Sequence, residues 1–381
     1  MPWEEQTTMS LRTEFIQLVL SEEANMSQAC QHYHISRKTG YKWLYRYRES
    51  GEEALADRSR RPLNSPFQTS EELEKQVLLV RQTHPTWGGR KIEAYLHRMN
   101  YTDVPSASTI TAILWRHNLI DPEEASKHRP FQRFEYEEPN QLWQMDFKGY
   151  FPLSEGGTCH PLTVLDDHSR FLIGLKACPN ETKLTVQGYL TSLFRNYGLP
   201  DRMLMDNGSP WGTGYGQPYT ELTVWLIRIG VGIAHGKPFH PQTQGKDERL
   251  HRTLDNDLLK GITWINNDQC QYHFDAWREI YNWQRPHEAI MMDVPGALYR
   301  ASDRPFPEQL PPIHYDPQDQ IRKVDIDGQI FLHGQRFRIS KALRRQLVAL
   351  RLTADGLYDV FFCKQKVATI SFKDNNKKDG V

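Results

Sequence analysis

Three carboxylates fall on three segments of different character. Asp146 lies in "QLWQMDFKGYFP", Asp206 in "DRMLMDNGSP" and Glu248 in "HPQTQGKDERLHRTL". The first segment alternates like a strand, with Asp146 in its middle. The second reads as a short buried strand. It puts Asp206 at the C-terminal end, where open sheets present ligand-binding residues. The third reads as a helix, with Leu250, Leu254 and Leu258 on the packing side and Lys246, Glu248, Arg249 and Arg252 on the polar side. Each signal is weak alone, since a polar helix is more often a solvated surface. Together, the three can converge at one sheet edge. An all-oxygen set of this kind suits Mg²⁺ or Mn²⁺. Two such ions, about 3.5–4 Å apart, stabilise the attacking and leaving oxygens of phosphodiester displacement. Without metal the like charges repel, so a metal-free site should be poorly assembled.

The surrounding segments give these residues their places. "HPLTVLDDHSRFLIGLKACP" reads as two strands joined by a turn at Asp166–Arg170, whose Asp166, Asp167, His168 and Arg170 shape the turn by side-chain hydrogen bonds. A helix closed by Gly198 and Pro200 follows, then the strand of Asp206, a helix over "YTELTVWLIRIG", the strand "VGIAH", and the helix of Glu248. Three strands, then helix, strand, helix, strand and helix make an α/β layer over 139–304. His240 and Pro241 fix the entry to the last helix, and Arg285, Pro286 and His287 tie the next one to the core. Trp211 either stacks on a base or packs under its loop.

Two all-α regions precede this layer. Over residues 1–62, Ser27 can cap a short helix, "HIS" makes a turn and Ser36 can cap a second helix ending at Gly51, which together form a helix-turn-helix pattern. The second helix carries Arg37, Lys38, Lys42 and Arg46 around Trp43, Leu44 and Tyr47. A proline-marked linker with Arg58, Arg60 and Arg61 follows, suited to tracking a phosphate backbone. Residues 63–138 hold three more helices, with Ser106 or Ser108 starting the last, as a second helix-turn-helix candidate and linker. Pro305–Pro312 forms a connector. Short alternating runs with Asp-Gly and His-Gly turns over 318–372 suggest a small β-barrel of about five strands.

The 381 residues suffice for two to four domains. Formal net charge is zero, yet residues 37–62 carry eight basic against four acidic side chains and residues 321–366 ten against four. Such local patches, and not the global sum, bind phosphates. No run approaches the apolar length of a membrane span and the N-terminus does not read as a signal peptide, which points to a cytoplasmic chain. Five scattered cysteines give no disulfide framework. "CQHYH" lacks the second ligand pair of a zinc site.

Several motifs occur in one order: "MSQACQHYHISRKTGYKW", "LADRSRRP", "LWQMDF", "VLDDHSR", "MDNGSPW", "GKPFHPQTQGKDERLHRTL", "YNWQRPHEAI" and "VPGALY". Over roughly residues 10–300 the chain resembles the DDE transposases of bacterial insertion sequences, which have a retroviral-integrase-like core. The resemblance implies an RNase H-like fold and a catalytic, metal-holding triad of Asp146, Asp206 and Glu248 with two Mg²⁺ or Mn²⁺ ions. It also implies binding to the double-stranded ends of a mobile element, cleavage by water, joining of the freed 3′-hydroxyl to target DNA, and a homo-oligomer on paired ends. The DNA contacts expected are Arg37, Lys38, Lys42, Arg46, Arg58, Arg60, Arg61, Lys246, Arg249 and Arg252. The alternative is a domesticated, non-catalytic DNA-binding regulator. Two departures stand out. The 41 residues between Asp206 and Glu248 exceed the family's usual spacing, with the excess placed in "GTGYGQP". Asp255 occupies a position that is often basic, where it either faces DNA or pairs with Arg252.

Overall fold

A computed structural model describes residues 7–21, 24–58, 69–120, 136–213, 219–235 and 245–372. Arg60, Arg61, His240, Pro241 and most of the 212–218 loop lie outside these. The chain divides into two compact units, Met1–Gln68 and Thr69–Val381.

The first unit contains α1 (Thr8–Leu20), α2 (Met26–His32) and α3 (Arg37–Ser50). Ser36 caps α3 as expected, but α2 starts earlier and is capped by Asn25, with Ser27 already inside it; each cap accepts from a backbone N–H three residues on. Phe15, Ile16, Ala29, Cys30, Trp43 and Leu44 form the core. Gly40 is required where α3 crosses α2, because a Cβ there would come within 2.5 Å of Cys30 Sγ. This is the helix-turn-helix arrangement the sequence implies.

In the second unit, α4 (Glu71–Thr83), α5 (Gly89–Arg98) and α6 (Ala107–Arg116) close around Val77, Trp87, Ile92, Leu96, Ile110 and Leu114. Of the two serines offered as the start of α6, Ser106 caps it. The central sheet has β1 (Leu142–Phe147), β2 (Phe151–Pro152), β3 (Thr158–Asp166), β4 (Leu172–Cys178), β5 (Arg202–Met205) and β6 (Gly232–His235). β4, β3 and β1 pair antiparallel, while β1, β5 and β6 pair parallel. Helices α7 (Lys183–Tyr197), α8 (Glu221–Arg228), α9 (Gly245–Leu254) and α10 (Asn267–Trp283) complete the layers. This mixed sheet is the RNase H-like core. "QLWQMDFKGYFP" is not one strand but two, because the chain turns at Gly149, whose φ of +96° favours glycine.

The tail, β7 (Gln320–Lys323) to β12 (Gln365–Ile370), is all-β as expected. Its strands pair as a sheet in the order β12-β11-β10-β7, with β8 (Gln329–Leu332) and β9 (Gln335–Arg338) as a separate hairpin. β12 and β7 are the edges of that sheet, so the expected single barrel of about five strands is instead a four-stranded sheet with an added hairpin. Arg344 joins the tail to α8 through Glu221 at 2.6 Å.

Candidate active site

β1 and β5 bring the first two carboxylates together. Trp143 and Met145 on β1, and Met203 and Met205 on β5, are buried in the main core and fix which way each strand faces. The pairing Leu142–Arg202, Trp143–Met203 and Gln144–Leu204, continued two residues, sets Asp206 abreast of Asp146. Strands so paired lie about 4.8 Å apart. Burial, then the charge of Asp206, push the Asp146 carboxyl up to about 7, with smaller contributions from Glu181 and Glu248.

The helix carrying Glu248 packs by Leu250 and Leu254, which are buried in a second core with Leu165, Phe274 and Trp277, and by Leu258 at its edge. Glu248 itself is exposed. Acidic Asp247 and Glu248 in the first turn complement the helix dipole.

Several residues beside the carboxylates take roles that depend on contacts made only in the fold. Trp211 is buried, stacks on Phe147 with ring centroids 5.4 Å apart, and donates its indole N–H to Asp206 Oδ1. It therefore packs under its loop and clamps a site residue. Gly208 N–H donates to the same oxygen at 2.9 Å, and His235 Nδ1 lies 2.8 Å from the Asp206 carbonyl. His251, one turn beyond Glu248, stands 2.9 Å from Thr163 Oγ1 and 3.9 Å from Asp146 Oδ2. Burial, with Lys148 nearby, lowers its pKa to about 4. Asp247 is wholly enclosed, and its carboxyl is pushed well up by burial and by Asp146 and Asp167.

The oxygen donors of Asp146, Asp206 and Glu248, and the repulsion between the first two, are the chemistry a hard divalent cation relieves. Among the described residues, no three His, Cys, Asp or Glu side chains surround a common point. The residues thus fit a divalent ion in type, with their final arrangement still to be made.

The Asp166–Arg170 turn is structural. Asp166 Oδ1 accepts from the Ser169 N–H and hydroxyl at 2.8 and 2.6 Å, and Oδ2 accepts from Asn140 N–H at 2.7 Å. Asp167 accepts from Gln144 Nε2 at 2.6 Å and Tyr136 N–H at 3.0 Å. Lys246 pairs with this buried Asp167 at 2.5 Å, its own side chain only 16 % exposed. Its ammonium is a buried countercharge and does not face solvent as a DNA contact on the helix surface would. Among the described residues Asp255 pairs not with Arg252 but with Lys148, at 2.9 Å. It opens a π-helical turn, Asp255–Leu259, that ends the regular winding of α9. Arg249 and Arg252 are exposed.

That π-turn is also where the helical trio meets the sheet. Asp257 accepts from Thr86 Oγ1 at 2.6 Å and from Arg285 Nη1 at 2.6 Å. Arg285 is buried, and burial with nearby Arg285 and Lys91 holds His287 well below its usual pKa. Arg285 thus ties the end of α10 to the turn after α9, while His287 forms an isolated β-bridge with Asp293. In the first unit, Arg37, Lys38 and Lys42 are exposed on α3, and Lys42 and Arg46 place their cations 4.5 and 4.9 Å from the Trp43 ring centre. Arg58 lies 3.9 Å from Glu49.

A mixed sheet of this order with carboxylates at the ends of β1 and β5 defines an integrase-type core, and comparison with known proteins agrees. The integrase core domain family matches residues 136–241 and, in a second form, 229–295. A homeodomain-like domain matches 39–114, a helix-turn-helix domain 11–62, and the C-terminal domain of IS481 family transposases 319–378. An uncharacterized 31.7 kDa protein of insertion element IS407 from Burkholderia multivorans is 25% identical over 167 residues, covering 43% of this chain and 58% of that protein. The Gag-Pro-Pol polyprotein of Simian retrovirus SRV-2 is 32% identical over 123 residues, covering 32% of this chain but 6% of the polyprotein. The catalytic core domain of BIV integrase is 22% identical over 42% of this chain and 93% of that one, with a TM-score of 0.32. Together these matches support an insertion-element DDE transposase with a retroviral-integrase-like core. The chain spans less than two thirds of the length of these curated relatives. Among the described residues no helix is long and apolar enough to cross a membrane.

Proposed function

We propose that this chain is a metal-dependent DNA strand transferase that binds the ends of its element, cuts one strand with water and joins the freed 3′-hydroxyl to target DNA. The observation that carries this reading is the pair Asp146 and Asp206 at neighbouring strand ends, with Glu248 contributing to the charge that lifts the Asp146 pKa. In it, Asp146, Asp206 and Glu248 would hold two magnesium or manganese ions, whose charge would stabilise the entering and leaving oxygens of the scissile phosphate. Thr163 and His251 position the strand bearing Asp146, since Thr163 donates to the Asp146 carbonyl at 3.0 Å. Trp211 holds Asp206 in place by its indole N–H. Arg249 and Arg252 flank Glu248 with the positive charge that a phosphate backbone requires. Acting on paired ends calls for more than one copy of the chain.

The direct test is incubation of the full chain with its flanking terminal repeats, target plasmid and magnesium. Joined strands are expected, with none in chelator. A chain that binds the repeats but neither cuts nor joins them would instead be a regulator.

Deleting residues 1–62 is expected to leave the second unit folded, since it is compact in its own right. The truncated chain should lose its footprint on the repeats, and the salt dependence of binding should flatten as phosphate contacts go. Unchanged footprints would remove the first unit from end recognition.

A further inference from the structure

Beside Glu248, three cations from two elements gather on one carboxylate. Arg90, in the first turn of α5, has Nη2 3.4 Å from Glu288 Oε1. Arg249, next in sequence to Glu248, has Nη2 3.7 Å from the other oxygen of the same group. Both contacts exceed normal hydrogen-bond length, and both arginines stay exposed, at 69 % and 65 %. Lys91, next to Arg90 on α5, is half-buried. Its ammonium forms no ion pair among the described residues, and burial together with Arg285 lowers its pKa to about 8, while Asp257 and Glu288 oppose the shift. Asp257 is already spent on Arg285 at 2.6 Å. That leaves Arg90, Lys91 and Arg249 to share Glu288. The N-terminus of α5 adds to the excess, because Gly88 caps it without a side-chain acceptor.

We propose that Arg90, Lys91 and Arg249 form a clamp for a backbone phosphate of DNA, spanning the helical trio and the sheet, with Glu288 as the internal anion that the phosphate displaces. A phosphodiester brings the charge that the cluster lacks and accepts from two guanidinium groups at once. The bound strand would pass directly by Glu248. The clamp rests on the strand-transfer reading for its occupant, but its test does not require cleavage.

The test is binding of the full chain to a short fluorescent duplex of arbitrary sequence, in chelator, across a salt series. Arg90→Gln should lower the slope of log affinity against log salt, by at most about 0.9, the value for one whole phosphate contact. Lys91→Met should do the same, with its fold checked by thermal unfolding. Glu288→Gln should tighten binding several-fold at low salt, a gain that structural damage does not produce. Either an Arg90→Gln slope equal to the parent's, or no gain from Glu288→Gln, overturns the clamp. A chain that binds in this way yet joins no strands in magnesium would sink the strand-transfer reading alone.

Discussion

Asp146→Asn, Asp206→Asn and Glu248→Gln should each reduce strand cleavage by about 10³-fold or more, while end binding stays near that of the parent. Each change keeps side-chain volume and removes one negative charge from the proposed metal site. A metal contributes several kcal/mol to stabilising the reacting oxygens, and each 1.4 kcal/mol lost is about tenfold in rate. The three positions differ in what else they hold. Asp146 sits in a paired strand, with its carbonyl accepting from Thr163 at 3.0 Å. Asp206 also holds Trp211 and the Gly208 N–H. Its asparagine keeps an oxygen for those donors, so the loop should persist as activity goes. Glu248 is exposed and anchors nothing in the core, which makes its variant the cleanest of the three. Cleavage of labelled repeat DNA, read beside gel-shift affinity, decides each position separately. Near-parental cleavage by any variant removes that residue from the triad.

Lys246→Met should destabilise the second unit by about 3–5 kcal/mol, the range for breaking a buried ion pair from one side. The cause is Asp167, fully buried and left without its nearest cation. Gln144 Nε2 and the Tyr136 N–H still reach that carboxylate, so the lower end of the range is expected. Exchanging Lys246 and Asp167 together for apolar residues of similar size should restore part of the loss. Urea unfolding followed by tryptophan fluorescence measures both. A single variant as stable as the parent would show that Asp167 needs no countercharge.

Much of the site was legible because its elements carry period and punctuation. Asp146 between apolar strand residues, Asp206 at a strand end and the Leu250–Leu254–Leu258 stripe each follow from local pattern. So do the caps at Ser36 and Ser106. What escaped depends on contacts across long sequence separations. Lys246 looked like a surface cation because its helix face is polar. Only the turn at Asp167, 79 residues earlier, draws it inward. The roles of Trp211 and His251 likewise depend on Asp206, Phe147 and Thr163 meeting in space. Asp255 looked like the far end of a regular helix face. The π-turn changes the winding there, and Lys148 arrives from beyond β1. The tail's strands were visible singly, but alternation along a strand does not state which edges close.

The Asp257 junction bears on how such proteins are assembled by recombination. A break in the gene near codon 138 would leave a sheet whose α9 no longer has Thr86 to meet Asp257, and whose Asp293 has lost Arg98. The first unit can be exchanged for another reader of DNA without touching those bonds. The helical trio cannot, so it should be inherited with the sheet as one module, and substitutions on α5 and on the 255–293 stretch should be accepted in pairs.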